Sequence, residues 1–536
     1  MPTYSAAPVP SQIICQGVHT IQQSSESSCD VMADSQSSFQ PTRAHYRVLG
    51  VVGLLLTVFL LLPTGARDSI SHVYKNTQHA AGSPNKAKAP ENHLHEHNDQ
   101  PQNLGKLIQG QPLTTQPSTE NCGSRFGSEY IQAFSRTATQ YCDAESWANL
   151  TCFSHKVDEK RVDSFCYGGP ALFDFAHRGE IHIDCKVRDL TDSELQQGIP
   201  QFRNFPTYWY DTGPSYIFKE KMNVDRMEDH IPEYPEVSLL IQREDNNRNL
   251  WHTMMEIMSL TFSLDVLRQT TDPLTGKPFW TEAELAKTRA VFTDRLEHGP
   301  YWDLWRLFAE KPSIRMTEMS SRLNIAITKV LVPLPGGSNP FWQGDWTQLS
   351  CGESSLLKQY VQRVLKFFNV REGTPRGDRP LILTVVDRTK KRRLLHQDDY
   401  LEALRKKHPS VNIQVINFAK LPLAEQIRTA HHSDILVGVH GAGLTHGMWL
   451  PESSALVEIL PPDLDHWGFS NMAKFLGHRH YRAKGSRHDS PDNNGDWQHD
   501  DVFISKDEFL AHCEKAIASF SRTSRSGNGL SDIAGR

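Results

Sequence analysis

The sequence predicts an α/β fold whose last third is a doubly wound parallel sheet. Three observations carry this expectation. Short apolar runs recur, segments of helical length separate them, and a glycine turn leads from one run directly into a helix start. Residues 381–386 (LILTVV) form the first run, of strand length and rich in β-branched residues. Residues 398–407 follow with helical patterning, 411–418 (VNIQVINF) read as the second strand and 423–430 as the second helix. Residues 435–439 (ILVGV) are the next strand, and 443–450 a short helix that Pro451 stops. A further strand at 455–460 (ALVEIL), a helix at 471–476 and an extended segment at 478–482 complete the pattern. Strands covered by helices on both faces read as such unbroken apolar runs.

Upstream the pattern is thinner. Residues 238–242 (SLLIQ) are strand-like and lead into 249–268, a helix by its spacing. Trp209, Tyr210, Trp251 and Trp280 suit either sugar stacking or, more commonly, core packing.

A chain of 536 residues has room for two or three domains. Residues 1–47 are rich in Ser and Gln without periodicity and read as a disordered cytosolic tail. The 19 residues between Arg47 and Arg67, positions 48–66, span about 28 Å as helix, one hydrocarbon thickness, and read as a single transmembrane helix. Residues 67–119 are polar again and read as a lumenal stem. Its Glu91–His97 stretch has metal-ligand residue types, but a solvated stem is the simpler reading. Globular composition begins near 120 and divides into 120–344 and 345–520, with 521–536 a disordered tail.

Net charge is −5, so no broad basic field points to nucleic acid. Cys122, Cys142, Cys152, Cys166, Cys185, Cys351 and Cys513 show no C-x-x-C spacing and read as disulfide formers in an oxidising lumen. Seven is odd, so at least one is expected to be free or paired between chains. Asn149-Leu150-Thr151 is a glycosylation sequon in the same stretch. Together these features predict a single-pass type II membrane protein with a lumenal body.

The chemistry concentrates at His440-Gly441-Ala442-Gly443-Leu444-Thr445-His446, between a buried strand and a helix start. Glycines let the backbone approach a phosphate, and a helix N-terminus offers free N–H groups to an anion. His440, His446 and Thr445 add hydrogen-bonding side chains. Gly441, Gly443 and Gly447 also make a loose dinucleotide fingerprint, with Glu458 near the ribose-binding position, so an oxidoreductase binding NAD(P) or flavin is the competing reading. Two features favour a diphosphate leaving group instead. The loop follows two complete strand–helix units, and Arg388 and Arg393 with Lys390–Arg392 follow the first strand, where cations can neutralise that group.

Residues 381–460 resemble glycosyltransferase family 61, most closely its EGF-domain-specific O-linked N-acetylglucosamine transferase branch. The resemblance rests on Asp387-Arg388, Arg393-Leu394-Leu395, residues 423–428 (LAEQIR) and residues 432–446 (HSDILVGVHGAGLTH). Thinner matches lie at residues 210–214 (YDTGP) and 249–252 (NLWH). It implies a GT-B-like arrangement of two Rossmann-like domains facing a cleft, 120–344 on the acceptor side and 345–520 binding the nucleotide sugar. It also implies inverting transfer from a UDP-sugar, UDP-N-acetylglucosamine or in relatives UDP-xylose, to a hydroxyl of a protein or glycan. Donor binding falls to Arg388, Arg393, His440, Gly441, Ala442, Gly443, Thr445, His446 and Glu458. His252 and Glu256, four apart on one helix face, are the candidate bases; the family carries Asp where this chain has Glu256. Asp463-Leu464-Asp465 fits a D-x-D metal motif, but GT-B enzymes use side chains and helix ends, so no metal is expected. The chain ends Ile533-Ala534-Gly535-Arg536 rather than in a retention tetrapeptide, and with a membrane span this predicts the Golgi membrane, with the ER membrane as the alternative.

Overall fold

The computed structural model describes residues 122–526, apart from 159–160, 176–179, 209, 211, 228–232, 245–246, 320–323, 372–378 and 488–494. The expected cytosolic tail, span at 48–66, stem and Glu91–His97 stretch lie outside these, as does Trp209; of the tail expected at 521–536, residues 527–536 lie outside, while 521–526 end a helix, Lys506–Ser526, rather than a disordered segment. Among the described residues no helix is long and apolar enough to cross a membrane.

Ten strands make the first sheet: β1 (Thr139–Gln140), β2 (Asn149–Lys156), β3 (Val162–Gly169), β4 (Ala171–Asp174), β5 (Glu180–Asp184), β6 (Met222–Asp225), β7 (Glu233–Ile241), β8 (Thr288–Phe292), β9 (Ile314–Arg315) and β10 (Ile325–Val332). One block, in the order β9-β8-β7-β10, is wholly parallel. The other edge of β10 pairs antiparallel with β3 and β4, which extend the sheet through β1, β2, β5 and β6. The crossover from β7 to β8 is helix α1 (Leu250–Gln269), capped by the Asn249 side chain on Trp251 N–H. Nearly every α1 side chain from Leu250 to Leu267 is buried, so it is a core helix rather than a surface one.

The second sheet has five parallel strands in the order β12-β11-β13-β14-β15: β11 (Ile382–Val386), β12 (Asn412–Ile416), β13 (Ile435–Val439), β14 (Ala455–Leu460) and β15 (Arg479–Lys484). Helices α2 (Gln397–Lys407), α3 (Leu423–His431) and α4 (Gly468–Phe475), with a 3-10 segment at Ala442–Trp449, connect them. The doubly wound sheet expected from the sequence is therefore present, element by element. The chain reverses its direction of sheet growth between β11 and β13, which is where such sheets open a crevice for a ligand.

One apolar cluster joins both sheets. Met254, Met258 and Trp251 of α1 lie in it with Leu436, Leu444, Met448 and Phe469. Phe126, Phe341 and Phe475 stack in a triangle with centroids 4.7–5.5 Å apart. Disulfides Cys122–Cys351, Cys142–Cys185 and Cys152–Cys166 form, and buried Cys513 is the free thiol among the described cysteines.

Candidate active site

The glycine loop leaves β13 at the switch point, and its geometry depends on glycine. Gly441 has φ 141°, a conformation that L side chains rarely adopt, and a Cβ there would stand 2.7 Å from Arg388 and 3.0 Å from Arg392. Gly443 packs equally tightly, with Val386 2.7 Å from where its Cβ would be. The bare backbone of Gly441 thus lets two guanidiniums close over the loop. Arg388 comes from the end of β11 and donates to the Lys391 carbonyl at 3.0 Å. Arg392 adopts a left-handed backbone (φ 54°), which turns its side chain back to donate to the His440 carbonyl at 3.1 Å. It also lies 5.7 Å from the Trp497 ring centre. Among the described residues neither guanidinium forms an ion pair. Burial lowers the pKa of both, and for Arg392 burial together with the Arg388 charge lowers it to about 10.

The structure places several of the expected donor residues away from the loop surface. Arg393 does not reach the loop: its side chain points outward and pairs with Asp501 at 2.5 Å, and Arg392 stands in its place. Glu458 is wholly buried, with Oε1 taken by His440 at 2.6 Å and Oε2 by His480 at 3.0 Å, so it is not placed to bind a ribose. Burial raises its pKa, but the two imidazoles outweigh this and hold it at about 2. His440 in turn is held neutral, burial lowering it to about 4 against the pull of Glu458. An ionised Glu458 fixes its proton on Nδ1, so the Nε2 of His440 accepts rather than donates and gives a phosphate no N–H. His446 is buried against Phe418, ring centres 3.8 Å apart, with Nδ1 on the Gly443 carbonyl and Nε2 on Gln426. It braces the turn from behind. The Thr445 side chain is buried too, its hydroxyl without a hydrogen-bond partner among the described residues, while Ala442 is half-buried. The D-x-D carboxylates are also engaged, Asp463 by Arg487 and Asp465 by Arg482. Among the described residues no three His, Cys, Asp or Glu side chains group as metal ligands.

The second wall is the start of α1, at the carboxyl end of β7. His252 sits in its first turn with one-fifth of its side chain exposed, 4.6 Å from the Trp342 ring centre and 5.8 Å from that of Tyr210. Glu256 is buried one turn on, and Oε1 accepts the Glu244 N–H at 2.8 Å. Burial first, and the neighbouring Glu244 second, push its carboxyl well above the usual range; buried and engaged by that N–H, it does not face the acceptor side as His252 does. Aromatic contacts join this wall to the loop. Trp251 packs on Phe469 at 5.4 Å, and Phe469 on His440 at 5.2 Å. His466 lies 4.7 Å from the His440 ring and bonds Asp345 at 3.2 Å, three residues beyond Trp342. Asn149, the sequon residue, opens β2, and its Oδ1 accepts from Lys329 at 3.0 Å.

A parallel sheet whose switch point carries a glycine turn beneath two guanidiniums, neither ion-paired among the described residues, has the geometry and charge to receive a phosphate. Sequence comparison narrows that class. Residues 250–457 match the family model Glycosyltransferase 61, a stretch that takes in both α1 and the loop. The EGF domain-specific O-linked N-acetylglucosamine transferase of Bos taurus is 25% identical over 352 residues, covering 64% of this chain and 59% of that protein. Its Drosophila melanogaster counterpart is 23% identical, covering 64% and 63%. The Xenopus laevis enzyme is 31% identical over 53% of this chain and 51% of its own. The chain thus spans about three-fifths of the length of the first two relatives.

Proposed function

We propose that this protein is an inverting transferase moving a sugar, N-acetylglucosamine by analogy with its relatives, from UDP to a Ser or Thr hydroxyl of a secretory-pathway protein. The observation that carries this is Arg388 and Arg392 over Gly441, two neighbouring cations with no ion-pair partner among the described residues. A diphosphate supplies that counter-charge, and the positive charge is in place before the sugar–phosphate bond breaks. On the opposite wall His252 takes the acceptor proton as the hydroxyl oxygen attacks the anomeric carbon from behind. As that bond forms, the bond to the diphosphate breaks and its electron pair leaves with UDP. In this reading the β9-β8-β7-β10 block and the second sheet are the two Rossmann-like halves of a GT-B cleft. Glu458 lies too deep for the ribose contact that a dinucleotide enzyme requires.

A Golgi lumenal address, with the chain anchored through residues 48–66, is supported by the apolar run there and by the three disulfides. The test is UDP release by the purified full-length protein from a panel of UDP-sugars, with and without EDTA. Release is expected to persist in EDTA, because the guanidiniums carry the charge. UDP alone should raise the melting temperature. No stabilisation by any nucleotide at millimolar concentration would defeat the proposal.

A further inference from the structure

We infer that Glu244 is the positioning residue of His252, its buried carboxylate fixing the imidazole so that a basic Nε2 faces the acceptor hydroxyl. The inference rests on the reading of His252 as the base. Glu244 lies in the loop after β7, with its side chain 2% exposed and Oε1 2.9 Å from His252 Nδ1. A carboxylate so deeply buried requires a partner. The neighbouring Arg243 cannot serve, because Asp294 consumes it: the guanidinium donates at 3.0 Å to Oδ2 and 2.7 Å to Oδ1, and the Arg243 backbone N–H binds Oδ2 as well. The rest of the Arg243 fork donates to the carbonyls of Leu296, Glu297 and His298. That clamp holds the strand end still. Glu256 then pins Glu244 from the helix side through the 2.8 Å bond to its N–H.

Among the described residues, Arg243 neutralises Asp294, Glu256 Oε1 accepts the Glu244 N–H, and the Glu244 carboxylate faces His252 Nδ1. This is the His–carboxylate logic of acyl-transfer triads, in which the acid orients the ring and stabilises the imidazolium without itself taking the proton. In the transfer step the hydroxyl proton passes to Nε2 as the new C–O bond forms and the bond to UDP breaks. The resulting imidazolium lies against the Glu244 carboxylate until its proton returns to solvent.

The experiment compares Glu244→Gln, Glu244→Asp and His252→Ala in the full-length protein, measuring kcat, KM for the UDP-sugar and their pH dependence. E244Q is expected to lower kcat about 10²- to 10⁴-fold with little change in KM. UDP should still stabilise the variant. The acidic limb of its kcat profile should move down by about one pH unit or more, because the carboxylate beside Nδ1 that favours the imidazolium is gone. E244D should recover part of the rate. An E244Q enzyme within about threefold of wild type, beside an inactive H252A, overturns the positioning role and leaves the base assignment standing. A fully active H252A overturns the base assignment itself. Should E244Q fail to fold, the E244D profile decides, and an unshifted acidic limb overturns the inference.

Discussion

Replacing Arg392 by Ala tests the donor site most directly. In the free protein this guanidinium makes one hydrogen bond, to the His440 carbonyl, and no ion pair among the described residues, and it repels Arg388. Its loss therefore costs the fold little, and the melting temperature should stay constant or rise. With a diphosphate bound, the same group donates charge-assisted hydrogen bonds worth about 1.5–3 kcal/mol each. Losing one or two of them amounts to about 3 kcal/mol, or about a hundredfold in the Kd for UDP. Arg393→Ala is the internal control: its charge is spent on Asp501, so UDP affinity should be unchanged. Titration calorimetry at one ionic strength separates the two variants. UDP binding within about threefold of wild type for R392A, or an equal loss for R393A, would refute the assignment.

Gly441→Ala should weaken UDP binding more than about tenfold, because the new methyl meets both arginines and the φ of 141° strains any L residue; unchanged affinity would contradict the close-approach role. Acid should destabilise the protein through His440, His446 and His478, which burial holds at about 4 against 6.5 unfolded. Their pKa values are lowered on folding, so their contribution is complete above pH 6.5 and fades as pH falls through 4. By pH 5 each histidine costs about 2 kcal/mol, so denaturant unfolding at pH 7.5 and 5 should differ widely; equal free energies would refute it. Removing the Cys122–Cys351 bond, which closes 229 residues, with paired serines should cost about 4 kcal/mol, read as a lower denaturant midpoint.

The second sheet was legible almost residue by residue because its strands are buried on both faces. An apolar run such as ILVGV needs no knowledge of its partners. The first sheet was not. β10 pairs with β3 and β4 on one edge and β7 on the other, all distant in sequence, and no local pattern encodes such pairing. At the site the glycines were readable because they perform a backbone task. Side-chain direction was not: a single left-handed residue turns Arg392 inward and leaves Arg393 outside. Glu458 inside an apolar strand invited a ligand-binding role, but its partner His480 on the adjacent strand marks it as internal structure. Glu244 carries no motif and is visible only once the start of α1 is seen to pack against the end of β7.

The apolar cluster running from α1 into the glycine-loop segment has a consequence for how such an enzyme turns over. Walls that share an interior cannot part like the jaws of a hinge without exposing Trp251, Met254 and Phe469 to water, at about 25 cal/mol for each Å² uncovered. Entry and exit then fall to the loops at the rim. Communication across the site would then need no moving domain: a donor that settled the loop would press on Phe469, through it on Trp251, and so on the helix turn that holds His252. An occupied donor site would tighten the acceptor side, and ordered binding would follow from ordinary close packing.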